Sequence, residues 1–300
     1  MISICIPVYN FDVRHLVNSL SGQVEKTGVA CEIVLIDDGS EEEYKKINRS
    51  VCNRQIYVEL PENIGRASIR NLFLEYAGYQ YLLFLDCDSL IVSDDFLNKY
   101  IAAAANSEMQ VVCGGRIYDP QKPPKEYLLR WEYGRCCESK TTGQRQKAPN
   151  RSFMSNNFLI RRDIFSDFPF DERITQYGHE DTLLGFVLKK NGVEITHINN
   201  PVLNGELEIN SEYLRKNAES IKNLGAILEY VDYDPEFVKD IGLLRFYQKI
   251  KSVAPFIRIT YRIFGPAIRF ILKRGWVSLK LFNFYKLGLF LDSKFKKELL

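Results

Sequence analysis

The first 115 residues constrain the fold most, because five short apolar runs there alternate with segments of helical periodicity, the pattern of a parallel sheet wound with helices. The runs fall at 2–8, 31–37, 55–60, 80–86 and 109–113. Between them, Ser40-x-x-Glu43 offers a capping box for a helix near 41–51, and Ile69, Leu72, Phe73 and Tyr76 share one face of the next. A third helix follows Ser93, with Asp94 and Asp95 in its first turn and Leu97, Tyr100, Ile101 and Ala104 facing inward. From 116 to 152 the pattern gives way to Pro, Gly, Lys and Arg, which predicts a mobile loop over the site. A strand near 153–160, a helix near 179–190 and a strand near 193–198 follow, and the chain beyond 211 reads as mostly helical.

In an open parallel sheet, ligands bind beyond the carboxyl ends of the strands, so the residues that close each run carry the information. Pro7-Val8-Tyr9-Asn10, Asp37-Asp38-Gly39-Ser40 and Asp86-Cys87-Asp88-Ser89 close three of them. Two carboxylates two residues apart can turn toward one hard cation, Mg²⁺ or Mn²⁺, and bridge it to a diphosphate. The same triplet also suits a solvated turn ahead of a helix. The apolar run Tyr81 to Leu85 puts these acids at the end of a buried strand and favours the metal reading. Asp37 to Ser40 serves as a turn and cap, or points Asp38 at a base or ribose. Asn63-Ile64-Gly65, ahead of Arg66 and Arg70, has the character of a helix entry facing phosphate or uracil oxygens. Glu180 and Asp181 open a helix, where its dipole stabilises acids; a displacement that inverts an anomeric carbon needs a carboxylate base of this kind.

Taken in order over residues 1–230, these motifs resemble the family-2 bacterial glycosyltransferases of GT-A fold, and particularly members that assemble surface polysaccharides. The resemblance implies an α/β domain with a wound, mainly parallel central sheet. Its nucleotide-sugar half would be 1–115 and its acceptor half 116–230, with a helical basic extension at 231–300. It assigns the donor to Pro7, Tyr9, Asp38, Asn63, Gly65, Arg70 and Asp86, and the metal to Asp88 with Asp86. Asp181 would be the catalytic base and Glu180 its acceptor-orienting neighbour. Ser155, Asn157, Trp131 and His179 would lie on the acceptor side. One departure touches the metal: relatives carry a histidine ligand in a context like Asn-Pro-Val-x-His, and this chain reads Asn200-Pro201-Val202-Leu203-Asn204. Asn204 offers a weaker carbonyl oxygen, and His197 reads as a core residue.

The implied reaction uses a nucleotide-sugar donor, most often UDP-linked, and a glycan or lipid-linked glycan acceptor. A sugar-phosphate nucleotidyltransferase shares a wound sheet and metal carboxylates, but it would carry a Gly-rich, basic loop where this chain has Pro7 to Asn10. Composition speaks to the setting. Seven cysteines without paired spacing, together with the lack of a leader or an apolar stretch of about 18 residues, lead to the expectation of a reduced, cytoplasmic protein. The net charge of +2 conceals a tail, residues 241–300, that holds 13 of the 40 Lys and Arg but only two of the 38 acids. Nucleic-acid binding by this tail is disfavoured by the acidic remainder and by the lack of a motif. On a helix begun by Pro255 and kinked by Pro266, Arg258, Arg262, Arg269 and Lys273 would share one side, with Ile263, Phe264, Ala267, Ile268 and Ile271 largely opposite. Two expectations stand nearly level, a packed appendage or a peripheral contact with an anionic membrane surface, and the net charge of +11 on residues 241–300, 13 basic less two acidic, tips toward the membrane.

Overall fold

The structure, a computed structural model, describes residues 1–293 other than Asn53 and Ser107. The chain runs through β1 (Ile2–Val8), α1 (Arg14–Thr27), β2 (Cys31–Asp37), α2 (Glu42–Arg49), β3 (Ile56–Glu59), α3 (Arg66–Tyr76), β4 (Tyr81–Leu85), β5 (Ser89–Ile91), α4 (Phe96–Ala104), β6 (Val111–Cys113) and β7 (Arg116–Ile117). It continues with α5 (Leu128–Tyr133), a π turn at Gly134–Glu138, α6 (Thr142–Gln146), β8 (Asn157–Arg161), α7 (Arg162–Asp167), α8 (Glu180–Lys190), β9 (Ile195–His197) and β10 (Val202–Asn204). Five helices close it: α9 (Asn210–Tyr230), α10 (Pro235–Asp240), α11 (Gly242–Ile250), α12 (Ala254–Lys273) and α13 (Leu279–Asp292). Two compact units result. The first comprises Met1–Asp119, Glu138–Thr175 and Glu180–Glu206; the second comprises Pro120–Cys137, Gln176–His179 and the described residues from Leu207 on.

The first unit is built on a seven-stranded sheet of order β3-β2-β1-β4-β8-β6-β9, parallel except for β8. Alternation within the strands gives each face its own core. Cys5, Leu82 and Phe84 join Phe73 of α3 on one side, while Ile4, Ile6, Leu83 and Leu85 join Leu16 of α1 and Phe96 and Tyr100 of α4 on the other. A smaller sheet, β5-β10-β7, sets Asn204 opposite Ser89 and Val202 beside Arg116. Its strands of two or three residues have no periodicity to read in the sequence.

Three local expectations change. Residues 116–152 do not form a bare loop: they hold β7, α5 and α6 with short 3₁₀ and π turns. In the first-unit part, Thr141 and Gln144 make a capping box. The buried Arg145 donates to the carbonyls of Lys140, Gly114 and Ile198 and to Nδ1 of His197, a set of partners that orders the backbone without an apolar pattern. His197 is therefore a satisfied core residue. The capping box at Ser40 does not form, because the Ser40 hydroxyl accepts from the Asn10 amide while the Asp37 carboxylate accepts from the Ser40 amide. Asp94 and Asp95 precede α4 rather than lying in its first turn.

In the second unit, α9 packs with α5, α12 and α13 around Leu129, Tyr213, Ile268, Leu272 and Phe282. The approach of α12 to α13 depends on Gly288, where a Cβ would stand 2.0 Å from the Tyr261 ring. Gly288→Ala should therefore lower stability by about 1–3 kcal/mol, the usual cost of overpacking, and urea unfolding measures it.

Candidate active site

The carboxyl edge of the large sheet gathers the polar turns of β1, β2 and β4, with the start of α3 and α8 in the same unit. Asn10 takes a left-handed conformation, φ 47°, and its side chain accepts from the Glu41 amide. The buried Asp38 accepts from the Ile64 amide at 2.7 Å, which binds the end of β2 to the Asn63-Ile64-Gly65 turn. Burial raises its pKa, with the Ile64 and Gly65 amides and Asp37 as lesser influences. Gly39 makes this closeness possible: φ is +72°, and a Cβ would lie 2.6 Å from the Glu62 backbone. Tyr9 and Asn63 stand exposed along the same edge and Pro7 is half-buried.

Asp86 is the electrostatic centre. Its carboxylate accepts from Arg70 Nη2 at 2.7 Å and lies 3.5 Å from Arg116 and 3.9 Å from Arg66. Burial by itself would raise the Asp86 pKa, but Arg70, Arg66 and Arg116 together outweigh it and hold the carboxyl below its ordinary value. Arg66 Nε reaches Glu180 at 2.9 Å, so an ion-pair chain runs from the end of β4 to the start of α8. Arg116 also lies 3.8 Å from Glu138, and its buried Nε has no hydrogen-bond partner. The next residue along α8, Asp181, behaves oppositely to Asp86. Burial first, and then the Glu180 charge, push it up to about 6, against the Thr182 amide and Arg66, which pull it down. Part of its surface still reaches solvent.

A hard cation has a limited donor set here. The Gly205 amide donates to the Asp88 carbonyl at 2.9 Å, and the β5–β10 register sets Asn204 opposite Ser89, so Asp88 and Asn204 are neighbours. Asn204 Nδ2 donates to the Glu206 carbonyl, so any metal contact falls to its Oδ1. Burial first, and then Asp88 and Asp86, raise the Cys87 thiol to about 12. Among the described residues, no three His, Cys, Asp or Glu side chains cluster as a metal site. One carboxylate and one amide oxygen would supply only part of the oxygen shell that a hard cation requires.

Residues expected on the acceptor side are distributed differently. Ser155 is buried, and Asn157 is an internal clamp: it accepts from the Tyr100 hydroxyl and donates to the carbonyls of Gly115 and Asn200. Trp131 and His179 belong to the second unit, where the buried Trp131 ring lies under the Arg135 guanidinium at 4.6 Å. Sequence reasoning passed over Arg116 and Asn156. The Asn156 side chain is buried with neither of its polar atoms partnered, while its carbonyl accepts from the Asp86 amide. Its position next to the fourth strand's partner was the available signal. A cavity of about 500 Å³ beside Arg116 is lined also by Lys140, Thr142, Arg145, Asn199 and Pro201.

The wound sheet, with acids and arginines gathered at its carboxyl edge, defines an α/β protein. The family model for glycosyl transferase family 2 matches residues 3–168, and the chain belongs to that family. Hyaluronan synthase of Pasteurella multocida is 32% identical over 202 residues, covering 56% of this chain and 20% of that protein. Chondroitin synthase of Escherichia coli is 25% identical over 225 residues, covering 64% and 32%. The chain thus matches only part of the length of these relatives. Among solved structures, a mannosyltransferase from Pyrobaculum calidifontis in complex with GDP-Man and Mn²⁺ superposes with a TM-score of 0.61 at 14% identity, over 97% of this chain and 84% of that one. Glucosyl-3-phosphoglycerate synthase from Mycobacterium tuberculosis, with Mg²⁺ and UDP, gives 0.54 at 17% identity, over 76% and 78%. These likenesses establish a GT-A-like fold with a C-terminal helical segment.

The Asp86 junction carries a stability prediction. Asp86→Ala leaves the buried Arg70 charge without its closest counter-ion and should cost about 3–5 kcal/mol in urea unfolding.

Proposed function

We propose that this glycosyltransferase moves a hexosyl or N-acetylhexosaminyl group from a UDP-linked donor to a hydroxyl of a glycan or lipid-linked glycan in polysaccharide biosynthesis, with inversion. The observation that carries the reading is Asp181: a carboxylate raised to about 6 at a helix start in the same unit as a strand edge rich in arginine. A base of that pKa is ionised at neutral pH yet basic enough to take the acceptor proton as the hydroxyl attacks. Glu180, held by Arg66, orients the acceptor. Pro7, Tyr9, Asp38, Asn63 and Gly65 hold the nucleoside, and Arg70 acts through Asp86 to keep that edge rigid. The names of the hyaluronan and chondroitin synthases support a polysaccharide product, and the UDP in the mycobacterial structure supports the donor. The cavity beside Arg116, with Lys140 and Arg145 on its wall, suits a phosphate-bearing acceptor.

Asp88 and the Asn204 carbonyl oxygen would hold Mg²⁺ or Mn²⁺, and a cation bound there neutralises charge on the leaving diphosphate. The protein would work on the cytoplasmic side as a peripheral protein of the inner membrane face, attached through residues 241–300. No helix of the described residues is long and apolar enough to cross a membrane.

Four outcomes test this reading. Asp181→Asn should keep donor binding but lower transfer by about 10²–10⁴-fold, since the amide cannot accept a proton; near-native turnover, with loss in Glu180→Gln instead, would move the role to Glu180. Because the base must be deprotonated, kcat/KM should rise with pH up to about 6 and then level off in the native enzyme. Asp88→Asn should weaken UDP binding in Mn²⁺ but not in EDTA, and Asn204→His should tighten it in Mn²⁺, both read by calorimetry. Product analysis showing pyrophosphate in place of UDP would replace transfer by nucleotidyl transfer.

A further inference from the structure

Helix α12 has three edges, and among the described residues only one is packed. At about 100° per residue, the buried Ala254, Gly265, Ile268 and Leu272 lie along one line. Directly opposite, Phe256, Ile263 and Phe270 recur every seven residues with Ile259 between them, and all four are open to solvent: Phe256 is 73% exposed and Ile263 65%. Between the two lines run Arg258, Arg262, Arg269 and Lys273. The arrangement differs from the expected two-sided helix. Ile268 belongs to the packed edge, whereas Ile263, Phe264, Ala267 and Ile271 are exposed, and the helix continues through Pro266. Trp276, just beyond its end, is 74% exposed.

An apolar line this long, left in water, calls for an occupant, and the charges select it. No acid occurs between Asp240 and Asp292, and Asp292 is shared by Arg258 and Arg262. A second copy placed on this face through a two-fold axis would bring the basic line against itself. A phosphate backbone would match the cations but leave the four apolar side chains unsatisfied. An anionic bilayer answers both, because its headgroups meet the basic line and its acyl chains the apolar one.

We propose that α12 lies flat in an anionic membrane interface, with Phe256, Ile259, Ile263 and Phe270 among the acyl chains. Arg269 and Lys273 then contact lipid phosphates, and Trp276 anchors the C-terminal end at headgroup depth. This rests on the peripheral attachment proposed above and specifies the surface that makes it. Each basic residue near an anionic leaflet strengthens binding by about fivefold.

The test uses the full chain with phosphatidylcholine vesicles, with and without phosphatidylglycerol, read by co-sedimentation and by tryptophan emission. Trp131 is buried, so Trp276 is the responsive reporter. Native protein should sediment with the anionic vesicles only, less so in salt, with emission shifted to the blue. Ile259→Glu combined with Ile263→Glu should lower binding at least about tenfold, whereas Ile209→Glu, exposed but outside α12, should bind as the native protein does. If native protein binds no vesicle, the peripheral attachment falls and the inference with it. If native protein binds and the double variant binds equally, the attachment stands and this surface is wrong. A concentration-dependent dimer dissolved by the double variant would assign the face to a second copy and overturn the proposal.

Discussion

The site depends on one carboxylate that three guanidinium groups share. Asp86 follows the last residue of β4, Arg66 begins α3 with Arg70 one turn further along it, and Arg116 lies on β7. Through it a strand end, a helix start and the small sheet are held in fixed relation, and Arg66 extends the connection to α8 by way of Glu180. Removing solvent from so many charges is tolerable only because each finds a counter-ion at short range. The same pairing keeps Asp86 ionised and occupied.

Asp181 stands against this as the second carboxylate type. Both acids are partly shielded from water, yet around Asp86 the arginines outweigh the burial and lower the pKa, whereas at Asp181 burial first and then Glu180 raise it. Environments of this kind divide two similar groups by the pH at which they titrate. Residue type alone does not reveal the division. It comes from Arg70 lying four residues along α3 from Arg66, so that both reach Asp86.

What could be read in the sequence follows from the range of the forces involved. β1, β2 and β4 are continuous apolar runs, and their bounds match the sequence to within a residue. The polar turns that end them were legible for the same reason. β5, β7 and β10 were not, because such short strands exist only through pairing with distant partners. Arg145 orders residues that look like loop because its four acceptors come from remote backbone and from His197, and Asn157 looks like a ligand-facing amide until Tyr100, Gly115 and Asn200 claim it. On α12, helical periodicity revealed an amphipathic helix, but which apolar line is packed depends on α13 and Gly288.

The contact at Gly39 has a thermodynamic side. Asn10 bonded to Ser40 and Glu41, and Asp38 to Ile64, turn three chain reversals into a single preformed rim. A ligand arriving at such a rim finds backbone that has already lost its freedom, so little of its interaction energy is consumed in ordering the protein. Affinity is then governed by the fit of the incoming group, and selectivity becomes a question of shape held at rest rather than of closure around whatever enters.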